Sequence, residues 1–290
     1  MNNYAIFGYD SLNIGDDIQS LISSKIFNIS YFILRDNFDR CFDFETGKEI
    51  EYPKETINLI ANGWYILDYK GEYTSGGEEL LKFPFERNKL NPLYVSCCFP
   101  EYNKHLYSKK AIKHLKERQP ILARDKDTHN LLINHGVESE FFGCITMLLE
   151  KEDIDLSLVD EDFRGANVYV DCHYEYLNKN LDKSKNNLVI SHYDYEWDED
   201  NPIVKNQKEL INLNPKERIN KAEKLLSSYT IANKIFTSRL HCYLPCKAMG
   251  LDVYYVGEKC YRTESLINMD NIDKKKKRAE LIEFVESRKV

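Results

Sequence analysis

Short runs of β-branched and aromatic residues alternate along the chain with stretches whose apolar positions recur every three to four residues, the spacing of one helix face. Tyr4–Phe7, Tyr31–Leu34, Ile57–Ala61, Leu93–Cys98 and Ile121–Ala123 read as strands. Ile14–Phe27, with Ile18, Leu21, Ile22 and Ile26 on one side, reads as a helix, as do Lys109–Arg118, ended by Pro120, and Thr128–His135, stopped by Gly136. After Thr146 the pattern weakens, and acidic Lys151–Gly165 is expected to be a linker. A second set follows, with strands at Asn167–Asp171, Leu188–Ser191, Lys234–Thr237 and Val253–Val256. Between the second and third of these lie a long loop from Tyr193 to Pro202 and a helix opened by an Asn214 cap, Pro215 and Glu217, with Ile219, Ala222, Leu225, Leu226 and Tyr229 as its buried stripe. Leu240–Met249 is a helix ended by Gly250, and a final helix runs from about Lys274 to Arg288.

Such alternation implies an α/β fold in which mainly parallel sheets are covered by helices. Two sets on either side of a linker predict two Rossmann-like domains, 1–150 and 151–290, facing a cleft. In open sheets of this type ligands bind outside the carboxyl ends of the strands, so the loops that leave strands and enter helices are the places to look for chemistry.

Composition narrows the function classes. The 290 residues are 42% hydrophobic and 30% charged, as expected of a folded chain rather than a disordered one. A net charge of -7 argues against nucleic acid as the main partner, since phosphate-backbone binders are usually basic. Met1–Asp10 has neither the basic region nor the apolar core of a signal peptide, and no apolar run approaches the roughly 20 residues needed to span a bilayer. A cytoplasmic protein is expected. The eight cysteines lack the spacing of a disulfide framework or a zinc site and read as reduced, mostly buried thiols, so no metal is expected. The Lys274–Arg278 run reads as a solvated helix face.

Ser238-Arg239-Leu240-His241 holds the densest candidate chemistry. It stands where a buried strand hands over to a helix, whose free N–H groups and dipole favour an anion. Arg239 adds a planar fork suited to carboxylate or phosphate, and His241 a group able to carry a proton near neutral pH. An Arg capping a neighbouring helix and a His satisfied in the core would give the same letters. The matching junction of the first half is Asp10–Gln19, where Gly15 allows close backbone approach. Asn13, Asp16 and Asp17 are its polar candidates, and which Asp caps the helix is left open. Arg124-Asp125 follows another strand, Asn62-Gly63-Trp64 ends one with a ring able to stack on a sugar, and Gly143-Cys144-Ile145-Thr146 closes the first half. Lys259 and Arg262 follow the last strand.

Taken in order, Asn13-Ile-Gly-Asp-Asp-Ile-Gln-Ser20, Asn62-Gly-Trp64, Arg124-Asp-x-x-Thr128, Gly143-Cys-Ile-Thr146 and Thr237-Ser-Arg-Leu-His-Cys-x-Leu-Pro-Cys-x-Ala-x-Gly250 resemble the polysaccharide pyruvyl transferases, from about residue 4 to residue 262. The resemblance implies a GT-B-like fold with an acceptor side in the first domain and a donor-binding side in the second. It also implies transfer of a pyruvyl group from phosphoenolpyruvate to two hydroxyls of a sugar as a cyclic ketal, with phosphate released and no cofactor or metal needed. The acceptor would be a sugar or glycan, free or lipid-linked. Arg239, Leu240 and His241 then contact the donor beside Ser238, Arg124 is a second donor contact, and Asp16 or Asp17 lies near the reaction. His241, Asp16 and Arg239 are the expected catalytic groups; Asn13, Asp17, Asn62 and Trp64 are candidates for the acceptor. Relatives often have Ser-Phe-His where this chain has Ser96-Cys97-Cys98. A GT-B-type glycosyltransferase using a nucleotide sugar would also place a basic residue at such a helix start, and a non-catalytic glycan- or anion-binding relative would tolerate Cys98.

Overall fold

The computed structural model describes residues 3–65, 89–102, 104–181, 184–194, 207, 210–269 and 272–290. Internal contacts divide the chain into two compact units. The first comprises Met1–Asp10, Ser23–Ile145 and Tyr261–Val290, and the second Ser11–Ile22 and Thr146–Cys260. The main crossing falls between Ile145 and Thr146. Two shorter segments depart from it.

The first unit is built on an eight-stranded sheet in the order β4-β3-β2-β1-β5-β6-β7-β8. Its strands are β1 (Tyr4–Gly8), β2 (Ile29–Leu34), β3 (Cys41–Asp43), β4 (Glu49–Ile50), β5 (Ile57–Trp64), β6 (Leu90–Cys98), β7 (Ile121–Ala123) and β8 (Ser139–Phe141). All pairings are parallel except β2–β3 and β3–β4. Every residue of β1 is buried, the continuous apolar run expected of a parallel strand covered on both faces. The core holds Phe7 stacked on Phe38 at 5.9 Å and Tyr65 against Phe99 at 5.2 Å. Two helices here, α2 (Lys109–Glu117) and α3 (Lys126–Asn134), are capped by the Ser108 and Asp125 side chains.

Chain-terminal residues explain one departure in the boundary. Tyr4 Oη donates to Glu286 at 2.7 Å, the Val290 amide donates to Asn58 Oδ1 at 3.0 Å, and Asn91 Nδ2 donates to the Arg288 carbonyl at 3.0 Å. These bonds place the last helix in the first unit, although in sequence it follows the second set of strands.

In the second unit four strands, β9 (Asn167–Val170), β10 (Asn187–Ile190), β11 (Lys234–Thr237) and β12 (Val253–Tyr255), form an all-parallel sheet in the order β10-β9-β11-β12. The chain leaves β9 for β10 on one side and returns to β11 on the other, so the strand order reverses between β9 and β11. Further helices among the described residues are α4 (Tyr174–Asn180), α5 (Pro215–Tyr229) and α6 (Leu240–Ala248) in this unit and α7 (Tyr261–Ile267) and α8 (Lys274–Glu286) in the first. The expected start of α5 is present as a full capping box, Asn214 accepting from the Glu217 amide and Glu217 from the Asn214 amide.

Helix α1 (Ile14–Ile26) begins in the second unit, the other departure from a single cut. Its entering residues are tied there by Ile14 N–H to the His192 carbonyl at 3.0 Å and Asp194 N–H to the Leu12 carbonyl at 2.8 Å. Lys151–Gly165, expected as a linker, is instead packed structure. Ile154 and Phe163 are buried, Phe163 meets Tyr229 edge-on at 5.7 Å, and the Asp160 amide donates to Ser228 Oγ at 2.9 Å. Two anchors nine positions apart have no helical or strand period, so the pattern concealed them. The Tyr193–Pro202 loop falls beyond Asp194 outside the described residues.

Candidate functional site at the carboxyl ends of the second sheet

The reversal between β9 and β11 is the position at which open α/β sheets hold ligands. Asp171 follows β9 and Ser238-Arg239 follow β11. Asp171 has a φ of 49°, the left-handed region that a non-glycine residue seldom enters, although Asp tolerates it better than most. Its buried carboxylate accepts from Ser191 Oγ at 2.6 Å, from the His192 amide at 3.2 Å and from Arg239 Nε at 2.9 Å. Its carbonyl accepts from Ser238 Oγ at 2.6 Å. One residue thus holds two of the three polar members of the expected anion motif, Ser238 and Arg239.

Arg239 is the N-cap of α6, with extended backbone and its amide bonded to Thr237 Oγ1 at 2.9 Å. Its side chain makes no cap bond and turns to Asp171 and Tyr193. Nη1 donates to Tyr193 Oη at 3.2 Å, and the guanidinium lies 4.4 Å above that ring, a cation–π contact. About a third of the Arg239 side chain is exposed, against 1% for Asp171. The result is an oriented cation at a helix N-terminus. Leu240 and His241, both half-buried, form the first turn of that helix.

The Asp10–Gln19 loop meets this helix within the same unit. A Cβ on Gly15 would lie 3.3 Å from both Cβ and Nδ1 of His241, so the backbone passes close against the imidazole at this glycine. Asn13 Oδ1 accepts from the Gly15 amide at 3.0 Å, and Asn13 forms an antiparallel bridge with Tyr193. Asp16 is half-buried and accepts from Ser11 Oγ at 2.9 Å. Asp17 is occupied in a different way. Arg218 Nε and Nη2 reach its two oxygens at 2.9 and 2.8 Å, with both side chains almost wholly buried. Arg218 also donates to the carbonyls of Leu210 and Ser11. Burial pushes the Asp17 carboxyl up to about 6 against the opposing pull of Arg218. Asp17, expected as a candidate for the acceptor, is committed to an internal ion pair, and Asp16 is the aspartate that keeps an exposed surface.

Behind α6 lies a buried group that the sequence did not single out for chemistry. His192 Nε2 and Tyr229 Oη are 2.7 Å apart. Burial works to raise both Cys242 and Cys246, but hydrogen bonds from Cys246, His192 and Thr237 make Cys242 the more acidic thiol. All eight cysteines are free, six of them buried. Among the described residues no three His, Cys, Asp or Glu side chains are grouped to hold a metal ion.

The first unit carries the other candidates. Arg124 follows β7, donates its amide to the Cys97 carbonyl at 2.7 Å, and is 2% exposed. Burial opposes its charge, but Cys98, Cys144 and Asp125 more than offset that and hold its pKa above the ordinary value. Its Nε is buried without a partner among the described residues. Asp125 is the N-cap of α3 through the Thr128 amide at 2.9 Å, and a recess of about 700 Å³ beside it is lined by Cys98, Phe99, Tyr102, Asp127 and Asn130. Asn62, expected at the end of a strand, lies inside β5 at an irregularity between Ala61 and Gly63, where Gly63 has a φ of 135°. It is fully buried and donates to Ser23 Oγ at 3.2 Å, so its amide serves packing. Trp64 is half-buried at the end of that strand. The side chain of Arg262 lies outside the described residues.

Asp171, Tyr193 and Arg218 are the residues that sequence reasoning missed. Asp171 had a usable signal, an acidic residue closing a strand beside a switch point. The roles of Tyr193 and Arg218 arise from contacts 46 and 201 residues distant in the chain.

The family model for polysaccharide pyruvyl transferase matches residues 13–250. No curated protein sequence matches the chain. Among solved structures, a functionally uncharacterised protein from Klebsiella pneumoniae is similar at a TM-score of 0.53 and 13% identity, over 95% of this chain and 91% of that one. A structure described as a candidate UDP-N-acetylglucosamine 2-epimerase from Listeria monocytogenes gives a TM-score of 0.38 and 11% identity, over 94% of this chain and 70% of that one.

Proposed function

The chain belongs to the polysaccharide pyruvyl transferase family, and we propose on that footing that it moves a pyruvyl group from phosphoenolpyruvate to two hydroxyls of a sugar. The observation that carries the reading is the oriented, part-exposed Arg239 guanidinium at the start of α6, with His241 in the first turn of that helix and Gly15 against the imidazole. Phosphoenolpyruvate places a phosphate and a carboxylate close together. A fixed guanidinium and a helix N-terminus suit those two anions.

In the proposed reaction the donor's methylene carbon takes a proton and C2 becomes an oxocarbenium-like centre. One sugar hydroxyl adds to C2 and loses its proton. Phosphate departs with the electrons of its C–O bond, and the second hydroxyl closes the ketal with loss of another proton. His241, or an acid beside it, supplies the proton to carbon. Asp16 accepts one from the sugar and acts through placement. The family resemblance also assigns Arg124 to the donor, so Arg124→Ala is expected to weaken phosphoenolpyruvate binding.

Phosphate release from phosphoenolpyruvate in the presence of galactosides and N-acetylhexosamines tests the reading. His241→Ala should abolish most turnover, and near-normal rates in that variant would remove the acid role. Arg239→Ala should lower kcat/KM by roughly 2–4 kcal/mol of transition-state stabilisation, about 30- to 1000-fold. Thermal stabilisation by nucleotide sugars and not by phosphoenolpyruvate would point to glycosyl transfer instead. Cys98, where relatives often have His, favours one further reading, a binding protein without catalysis. Retained phosphoenolpyruvate binding with no phosphate released across the panel is the result that would support it.

A further inference from the structure

We propose that Asp171 and Tyr193 are positioning residues that set the orientation in which Arg239 meets its anion; the inference rests on the donor reading above. A guanidinium on a flexible stem has many rotamers, and a binding site gains from having that freedom removed before the ligand arrives. Three contacts remove it here. Asp171 holds Nε at 2.9 Å, Tyr193 Oη holds Nη1 at 3.2 Å, and the tyrosine ring supports the guanidinium plane at 4.4 Å.

The supports are themselves fixed. Asp171 is kept in the left-handed region by bonds to Ser191 Oγ and the His192 amide, and it presents its carbonyl to Ser238 at the same time. Backbone strain of this kind persists only where the surroundings over-determine it, and it concentrates at ligand sites. Tyr193 lies opposite Asn13 in an antiparallel bridge closed by the flanking Ile14–His192 and Asp194–Leu12 main-chain bonds, and the Asn13 side chain holds the Gly15 amide. The orientation of Arg239 is therefore coupled to the loop that carries Asp16 and adjoins His241. No group in this chain of contacts except Arg239 needs to touch the donor.

The test is phosphoenolpyruvate affinity by titration calorimetry in Asp171→Asn, Tyr193→Phe and Arg239→Ala, together with the two double variants carrying Arg239→Ala. Asp171→Asn is expected to weaken binding about tenfold or more, and Tyr193→Phe by a few-fold. Neither should add to the loss already present in Arg239→Ala, a non-additivity that a purely structural role would not produce. Tyr193→Phe keeps the ring and serves if Asp171→Asn does not fold. Wild-type affinity in Tyr193→Phe and in folded Asp171→Asn, or full additivity with Arg239→Ala, would overturn the positioning role while leaving the donor assignment intact. Unchanged affinity in Arg239→Ala would sink the donor assignment, and the positioning role with it.

Discussion

Gly15 has almost no room for a side chain. A methyl group there would meet Asn13 Oδ1 at 3.0 Å and the His241 imidazole at 3.3 Å, so Asn13 or His241 must give way by a few tenths of an ångström. Gly15→Ala is therefore expected to cut turnover at least tenfold while leaving the melting temperature within a few degrees of wild type, measured by steady-state kinetics and thermal unfolding. Unchanged kinetics would show that the placement of His241 is not critical. Single residues were only partly legible in the sequence. The Ser238–His241 motif was visible because its helix start follows a buried strand at once. Asp16 and Asp17 were indistinguishable there, since each is an acid in the first turn of a helix. What separates them is Arg218, brought to Asp17 by the fold and by nothing in the local sequence.

At the level of elements, the Asp17–Arg218 pair fastens α1 to α5 inside the second unit. Removing one member leaves the other charge buried and unpaired, which costs about 3–5 kcal/mol. Asp17→Asn should lower unfolding free energy by that order in denaturant titrations. Replacing both members with apolar residues of similar volume should recover most of the loss, and a double variant no better than the single one would show that the pair does more than neutralise itself. Long elements were readable. The capping box of α5, the four strands of the second sheet and the start of α6 followed from periodicity and end signals, whereas the order of those strands did not. The β3–β4 hairpin, β8, α4 and α7 were not read: each is two to seven residues long and, unlike the equally short but apolar β7, carries polar residues that interrupt the pattern. Asn62-Gly63-Trp64 was placed after its strand because glycine interrupts a β pattern, whereas here the interruption is an irregularity within the strand.

At the scale of the whole molecule, His114 makes a contribution to stability that falls in mild acid, opposed over the same range by Asp17, whose raised carboxyl takes up its proton first in the folded chain. His114 on α2 is 8% exposed and bonded to Tyr94 Oη at 2.8 Å. Burial, with the charge of Arg118 as a smaller contribution, depresses its pKa from 6.5 to about 4. A depressed value means that the unfolded chain binds the proton first. The contribution is complete above about pH 6.5 and is lost as the pH falls towards 4, at up to about 1.4 kcal/mol per pH unit. His114→Gln should remove this loss from the stability profile between pH 4 and 6.5; an unchanged slope would place the titration elsewhere. The overall α/β class was legible, since it follows from alternation of patterns. The assignment of Ser11–Ile22 and Tyr261–Val290 was not, because it depends on contacts made across most of the chain.

That assignment has a consequence during synthesis. Asp17 leaves the ribosome 201 residues before Arg218. At about 5–20 residues per second it waits roughly 10–40 s for its partner. The first unit meanwhile awaits the Arg288 and Val290 main-chain groups that bond Asn91 and Asn58. Neither unit can finish as the nascent chain emerges in order. A helper that shields the early strands on the ribosome would act during this interval, and a pause in translation before Arg218 would lengthen it.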